Sequence, residues 1–410
     1  MAKRASTPKH TWEFRARFRH RAFGWRSKLP IQRIKEAVSE IQGVAKKDAV
    51  LAAEGAVLFL ERVSPALEQV DSSSGAIGTA VNTAIAALVP IIGEAPADAK
   101  TRDAWLERLW TAYQDDRIPY LELLGDRWGE LCATKERASA WGDRLMDLVR
   151  LTWVPNRKPG AFFSGATNCL SALLAAERYG DLLELLEREP YGMWHYRKFG
   201  VKALAALGKV DEALRYVEEH PGSNRSPTAV ARVCEEILLA ARRTEEAYER
   251  FGLQASEASS YLAWFRKVAK AYPHKEPAQI LADLVKNSPG SEGKWFAAAK
   301  SSKLYDEAIA LANWSPCDPK TLTRAARDFA KKNPTFAVEA GLAALRWLVE
   351  GYGHQITNVD VLDAYTYTCE AAENAGQSEE TSQRIKTLVA SETFGERFVM
   401  KTLGSRLGLR

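Results

Sequence analysis

Cysteine is scarce in this chain of 410 residues, and its placement argues against disulfides. The five cysteines lie far apart, are odd in number and never form a Cys-x-x-Cys pair. Because disulfide-dependent secreted domains place many cysteines in a short chain, this pattern predicts reduced core residues. No hydrophobic leader follows Met1, so the sequence shows no secretory signal. These two absences predict a cytoplasmic protein.

Local motifs of catalysis and metal binding are also missing. The sequence has no Gly-x-Ser-x-Gly elbow, no His-Glu-x-x-His and no Walker phosphate loop. Its six histidines never fall within ligand spacing of one another or of a cysteine, so we expect no metal and no cofactor. Asp98-Ala-Lys100 is a fragment of a nuclease-like pattern that nothing nearby completes. We therefore predict a protein that is not an enzyme; the alternative is an unrecognised hydrolase or nuclease with a non-local active site.

Alternating β-branched runs, the pattern of strands, are rare, whereas apolar residues recur at helical spacing along the chain. The fold class is therefore predicted to be all-α. One uncharged run, residues 72–93, has the length of a membrane-spanning helix. Its first half is rich in Ser, Thr and Asn and Pro90 interrupts its most apolar part, so we predict a buried helix and no membrane partner.

The feature that is present is a repeat, clearest from Trp194 to Pro221. There an apolar helical face ends at Leu207-Gly208, and a second helix opens at Asp211 and stops before the proline. A small or apolar residue near the start of each second helix marks the units, at Leu183, Ala213, Ala247, Ala278, Ala308 and Ala337. Successive gaps are 30, 34, 31, 30 and 29 residues. A period near 31 predicts an α-solenoid of antiparallel helical hairpins.

This hairpin carries a family resemblance that extends over residues 160–350. Tetratricopeptide-type repeats place similar residues much as this chain places Ala203, Leu207, Gly208, Ala213 and Pro221. The family's signature Trp, Gly and Tyr of the first helix are not reproduced in each unit. The resemblance implies a protein-binding role. The chain is also similar to helical bacterial proteins, some of which follow a zinc finger of Cys-x-Cys and Cys-x-His type, but it contains neither motif.

The chain is predicted to have four segments. They are a basic, aromatic arm at residues 1–30, a HEAT-like or bundled helical region at 31–154, tetratricopeptide-like repeats at 160–392 and a C-terminal capping helix at 393–410. Two prolines and a glycine mark the boundary at 154–160. Two longer helices, near 358–374 and 379–390, are expected to close the repeats.

The arm holds the excess of positive charge. The net charge of the chain is +5, but residues 1–35 contain eleven Lys and Arg against one acid, which leaves −5 for residues 36–410. The candidate binding residues of the arm are Arg15, Arg17, Arg19, Arg21, Trp25 and Arg26. Arginine contacts phosphates and aromatic rings stack on bases, so the arm is typical of a nucleic-acid site. Alternatively, its aromatic residues at 12, 14, 18 and 23 pack on the first helices, or the arm binds an acidic protein.

Two clusters on first helices of the repeats predict a binding groove. One consists of Tyr191, His195, Arg197 and Lys198, and the other of Arg266, Lys267 and Lys270. First helices of this repeat type commonly line the concave face. The alternative is that the neighbouring Trp194 and Trp264 belong to the core and the cations form a solvated edge.

The leading prediction is a non-enzymatic scaffold or adaptor that binds a partner protein through a helical-repeat groove. The alternative, from a different class, is a nucleic-acid-binding protein that grips phosphates through residues 1–28. Neither interpretation predicts an oligomeric state.

Overall fold

A computed structural model describes residues 10–154, 163–220 and 222–409. Within these ranges the secondary structure is helical, and the only strand-like pairing is an isolated parallel bridge between Met193 and Ser223. The predicted all-α class is confirmed. The chain divides into two compact units, Met1–Ser226 and Pro227–Arg410, and a separate hydrophobic core lies in each. The first unit therefore extends across the predicted boundary at 154–160, most of which lies outside the described residues.

The helices of the first unit begin with a short turn in the arm and continue to the hairpin that the sequence marks most clearly. They are α1 (Glu13–Arg17), α2 (Lys28–Ala45), α3 (Ala49–Leu67), α4 (Ala76–Glu94), α5 (Ala99–Gln114), α6 (Glu122–Asp126), α7 (Trp128–Cys132), α8 (Lys135–Thr152), α9 (Ala166–Ala175), α10 (Tyr179–Glu187), α11 (Trp194–Ala206) and α12 (Val210–Glu219).

The second unit contains the remaining helices, with a π-helix at Tyr248–Gly252 and a 3₁₀-helix at Glu292–Trp295. They are α13 (Pro227–Ala240), α14 (Thr244–Ala247), α15 (Leu253–Ala255), α16 (Tyr261–Ala271), α17 (Pro277–Lys286), α18 (Phe296–Ser301), α19 (Tyr305–Trp314), α20 (Pro319–Phe329), α21 (Pro334–Val349), α22 (Asn358–Ala375), α23 (Ser378–Ala390) and α24 (Phe398–Leu407).

Short polar side chains start several of these helices by accepting a hydrogen bond from the first turn. Asp48 accepts from Leu51 N–H at the start of α3, and Asp318 does the same for Thr321 in α20. Such caps satisfy backbone donors that have no partner inside the helix.

Helices that follow one another pack as pairs within each unit. The predicted hairpin is confirmed, because α11 ends at Ala206, α12 begins at Val210, and Gly208 makes the turn with φ of +77°. Its closing Pro221 lies outside the described residues. The two longer helices are confirmed as α22 and α23, and the predicted C-terminal helix packs on both as α24.

The repeat anchors all lie in second helices of packed pairs, but their environments differ. Ala213, Ala247, Ala308 and Ala337 are fully buried and Leu183 is half-buried. Ala278 is exposed, and Ile280 fills the core in its place. The solenoid and its 31-residue period therefore stay predictions.

Helix α4, from the uncharged run, is long and apolar enough to cross a membrane by length and composition alone. In the structure it packs against α2 and α3. Only 39% of its most apolar window is buried, and Thr79, Asn82 and Thr83 lie exposed along its outer face. The prediction of a buried helix is thus confirmed for one face.

Helix α21 lies at the centre of the second unit, where twelve of its sixteen residues are buried. It contacts α19, α20, α22 and α23. At Gly341 it approaches α22 so closely that an added Cβ would lie 2.1 Å from Thr368 Oγ1. That hydroxyl is buried and donates to Ala364 O at 2.6 Å, so it cannot easily move away.

We expect Gly341→Ala to destabilise the second unit by about 1–3 kcal/mol, because overpacking at Thr368 outweighs the helix preference of alanine. Gly43→Ala in α2 is the matched control, since nothing lies within 4 Å of its added Cβ, and it should stabilise by about 0.5–1 kcal/mol. Thermal unfolding followed by circular dichroism measures both. Thr368→Ala should restore part of the loss, and a raised melting temperature in Gly341→Ala alone would contradict this close approach.

Candidate functional site

The aromatic side chains of the arm belong to the core of the first unit. Trp12, Phe14, Phe18 and Phe23 are buried. The rings of Phe14 and Phe18 meet Phe59 of α3 edge-on, with centroids 5.7 and 5.1 Å away. The packing interpretation is therefore confirmed for these four aromatic residues.

Backbone contacts hold the arm in this position. The Glu40 carboxylate accepts hydrogen bonds from Glu13 N–H at 2.8 Å and Phe14 N–H at 3.3 Å, which ties the start of α1 to α2. Further along, Asp71 N–H donates to Trp25 O at 2.9 Å. Residues 1–9 of the predicted arm, with three of its cations, lie outside the described residues.

The arm's arginines divide into two groups. Arg17 pairs with Glu13 and Glu36 at 3.1 and 3.0 Å, and Arg21 pairs with Glu68 at 2.9 Å. The hydrogen bond from Arg21 lowers the pKa of Glu68. These two arginines therefore serve the fold of the first unit.

The second group is available to a ligand. Arg15, Arg19 and Arg26 are exposed, and their side chains make no hydrogen bond or ion pair with any described residue. Trp25 is 71% exposed, in contrast to the other aromatic residues of the arm. Of the six predicted residues, these four are thus exposed and without an ion pair among the described residues, and their binding role stays a prediction.

Most side chains of the cluster on α11 are buried or paired within the first unit. Arg197 lies 3.1 Å from Glu189, with only 11% and 0% of the two side chains exposed. Lys198 donates to Asp126 Oδ2 at 2.5 Å and so connects α11 to α6. His195 is half-buried, and burial lowers its pKa. Tyr191, 41% exposed, is the member of this cluster most open to solvent.

The cluster on α16 belongs to the second unit and is more open. Trp264 is half-buried and donates its indole N–H to Leu253 O at 2.6 Å, while Trp194 of the first cluster is buried. Both tryptophans are therefore packing residues. Lys267 donates to Glu257 O at 3.5 Å, whereas Arg266 and Lys270 are exposed and have no side-chain partner in the described part of the chain.

The carboxylate of the nuclease-like fragment has a structural role. Asp98 accepts hydrogen bonds from Thr101 N–H and Oγ1–H, both at 2.9 Å, so it caps α5, and these bonds lower its pKa. Across residues 10–154, 163–220 and 222–409, no group of three or more His, Cys, Asp or Glu side chains is placed to hold a metal ion. That the protein is not an enzyme therefore stays a prediction.

All five cysteines lie in the described ranges, and none forms a disulfide. Burial raises the pKa of Cys132, Cys169 and Cys317 to about 12, so these thiols stay protonated at neutral pH. This fits the prediction of reduced core cysteines.

Sequence reasoning missed a cleft in the second unit between α21 and α23, here named the α21/α23 cleft. Its main part has a volume of about 840 Å³ and is lined by Leu342, Arg346 and Arg384 among others. A neighbouring part of about 530 Å³ is lined by Tyr352 and Phe394. Arg346 and Leu388 line both parts, so the two form one continuous surface feature.

Exposed aromatic residues line the α21/α23 cleft or lie next to one of its lining residues in sequence. Trp314, 71% exposed, follows Asn313, which lines the cleft and whose carbonyl accepts from Arg346 at 3.0 Å. Phe394, 59% exposed, packs over Gly351, where an added Cβ would meet the ring at 2.3 Å. The φ of +82° at Gly351 also requires glycine there.

Comparison with protein families, curated proteins and solved structures gives no match for this chain. The tetratricopeptide-like resemblance therefore stays a prediction.

We expect Phe18→Ala to destabilise the first unit by about 3–5 kcal/mol, because it empties a buried ring site. Trp25→Ala should change the stability by less than about 0.5 kcal/mol, since its side chain is largely in solvent. Urea titration followed by far-ultraviolet circular dichroism measures both. Equal effects of the two substitutions would show that the arm is not anchored by its buried rings.

Proposed function

We propose that this protein is a non-enzymatic cytoplasmic scaffold or adaptor that binds a partner protein in the α21/α23 cleft. One observation carries the proposal: two exposed aromatic side chains, Tyr352 and Phe394, line this cleft, and the exposed Trp314 follows the lining residue Asn313 in sequence. Trp314, Phe394 and Tyr352 are 71%, 59% and 45% exposed. Energetically important residues of protein interfaces are enriched in Trp, Tyr and Arg.

The energetics favour a partner for these rings. Leaving a large apolar side chain in water forgoes about 1.5–3 kcal/mol relative to burying it. Two of the rings are also held in place, since Phe394 lies over Gly351 and Tyr352 meets Trp347 edge-on with centroids 5.1 Å apart. A preorganised ring loses little entropy on binding, so its burial contributes fully to affinity.

The polar lining of the cleft suits a polypeptide. Arg384 pairs with Glu339 at 2.5 Å and Arg346 with Glu350 at 2.9 Å, so these charges are compensated before a partner arrives. Glu379 and Lys386 also line the cleft and form no ion pair with any described residue. A partner segment with apolar anchors and charges of both signs would match this surface.

The finer architecture belongs to the same proposal. We propose that the packed pairs from α9 to α21 are tetratricopeptide-like repeats of an α-solenoid. The presence of every anchor in a second helix supports this. Ala278 is exposed and Leu183 half-buried, so their two units would be degenerate copies of the repeat.

A second candidate function rests on the arm. Arg15, Arg19 and Arg26 are exposed without carboxylate partners among the described residues, and Trp25 stands beside them in sequence as an exposed ring. Three phosphate contacts with one stacking platform would suit a nucleic acid.

We expect Trp314→Ala to remove the partner proteins that the intact chain captures from its native host. Trp25→Ala is the matched control, because both indoles are 71% exposed and the two lie in different units. Affinity purification with quantitative mass spectrometry, performed with and without nuclease, measures the recovered proteins. Recovery that is equal for both variants, or that disappears on nuclease treatment, would contradict a protein partner in the cleft.

For the second candidate, the logarithm of affinity for duplex DNA should fall with the logarithm of salt at a slope of about −3, since three arginines are available. Arg15→Gln, Arg19→Gln and Arg26→Gln together should remove this dependence, whereas Arg17→Gln should change the slope little because that guanidinium is already paired. Fluorescence anisotropy with labelled DNA measures the slope. Absence of DNA binding by the intact chain at low salt excludes this function.

A further inference from the structure

An open apolar groove runs between α2 and α4 in the first unit, and it is here named the α2/α4 groove. Its volume is about 640 Å³. Along α2 it extends from Ile31 to Gln42, and along α4 from Ala76 to Ala87. At 1.5 Å per residue this is about 16 Å, the length of three helical turns.

The side chains explain why the groove is deep. On α4 the lining residues are alanine and threonine, with Ala76, Ala80, Ala84 and Ala87 along one face. On α2 the longer Ile31, Ile34 and Val38 form the opposite wall. Small residues on one helix beside branched residues on the other leave a trough, and no described segment of the chain fills it.

The charge on the edge of the groove has one sign. Lys28, Lys35 and Lys46 are exposed on α2 or at its C-terminal end, and separations of seven and eleven residues place them on one edge of the helix. None of the three forms an ion pair with a described residue. On the other wall, α4 carries no charged residue before Glu94.

The acids of α2 do not neutralise this edge because they have other partners. Glu36 pairs with Arg33 at 2.6 Å and with Arg17 at 3.0 Å, and Glu40 accepts two backbone hydrogen bonds from the start of α1. A ligand in the groove would therefore contact an apolar surface with lysines along its α2 side.

We infer that the α2/α4 groove docks an amphipathic helix of a partner protein, with an apolar face of about three turns and acidic residues beside it. A trough of this length matches a cylindrical helix. A bilayer would require large apolar side chains that protrude, whereas the exposed rim here consists of Lys35, Ser39, Gln42, Ala76, Thr79 and Thr83. This inference does not rest on the α21/α23 cleft, which lies in the other unit.

The test uses the full chain and a pair of fluorescein-labelled peptides of about eighteen residues, each an amphipathic helix with a leucine face. One peptide has glutamate beside that face, and the other has lysine at the same positions. Fluorescence anisotropy should show binding of the acidic peptide at least about tenfold tighter than that of the basic one.

Variants of the groove give the discriminating readouts. Thr83→Trp, at an exposed position, should fill the groove and weaken the acidic peptide about tenfold or more. Lys35→Glu with Lys46→Glu should weaken the acidic peptide and strengthen the basic one, each about fivefold. Lys331→Glu with Lys332→Glu, at two exposed lysines of the second unit, is the charge-matched control and should change neither affinity. Trp314→Ala should also leave both affinities unchanged, which separates this site from the proposed function.

Several outcomes would overturn the inference. They are equal affinity for the two peptides, no binding of the acidic peptide at the highest soluble protein concentration, and binding that Thr83→Trp leaves intact. If Thr83→Trp instead abolishes binding to vesicles of anionic phospholipid, the occupant is a bilayer. If it abolishes self-association in sedimentation velocity, the occupant is a second copy of the chain.

Discussion

Helices in both units approach one another at positions where a side chain larger than hydrogen would collide with its neighbour. Gly341 lies against the buried hydroxyl of Thr368, and Gly55 of α3 lies under the indole of Trp12, 2.2 Å from an added Cβ. Glycine at these positions lets a neighbouring side chain pack directly against a helix backbone. Large aromatic rings also fill much of both cores, so the exposed rings of Trp314, Trp25 and Phe394 stand apart from the other aromatic residues.

Ion pairing divides the cations of the described residues into two groups. Arg17, Arg21, Arg197 and Lys198 each meet a carboxylate within 3.1 Å. The pair of Arg197 with Glu189 is nearly buried, and removal of one partner would leave an uncompensated charge in the core. These four cations therefore already have partners within the fold. The cations that remain without such partners in the described ranges, including Arg15, Arg266 and Lys35, are the better candidates for binding.

Much of the helical framework could be predicted from the sequence. Capping residues, glycine and proline located α11, α12, α22 and α23 to within two residues, because helix ends depend on local chemistry. The sequence could not separate paired from unpaired arginines, since Glu36 and Glu68 come near the arm only through the fold of α2 and α3. It also could not reveal the α21/α23 cleft. The carbonyls of Ala312 and Asn313, at the end of α19, accept hydrogen bonds from Trp347 and Arg346, which come 35 and 33 residues later in the sequence.

The two open surfaces differ in chemistry in a way that bears on an adaptor role. The α21/α23 cleft presents aromatic rings, two compensated arginines and charges of both signs that are unpaired among the described residues, which favours short apolar anchors of a partner. The α2/α4 groove presents alanine and branched side chains with uncompensated lysines, which favours a whole acidic helix. They share no residue and belong to units with separate hydrophobic cores. Binding at one surface therefore needs no repacking of the core beneath the other. The two proposed occupants differ accordingly, because exposed rings select short apolar anchors whereas a trough edged by lysines selects an acidic helix.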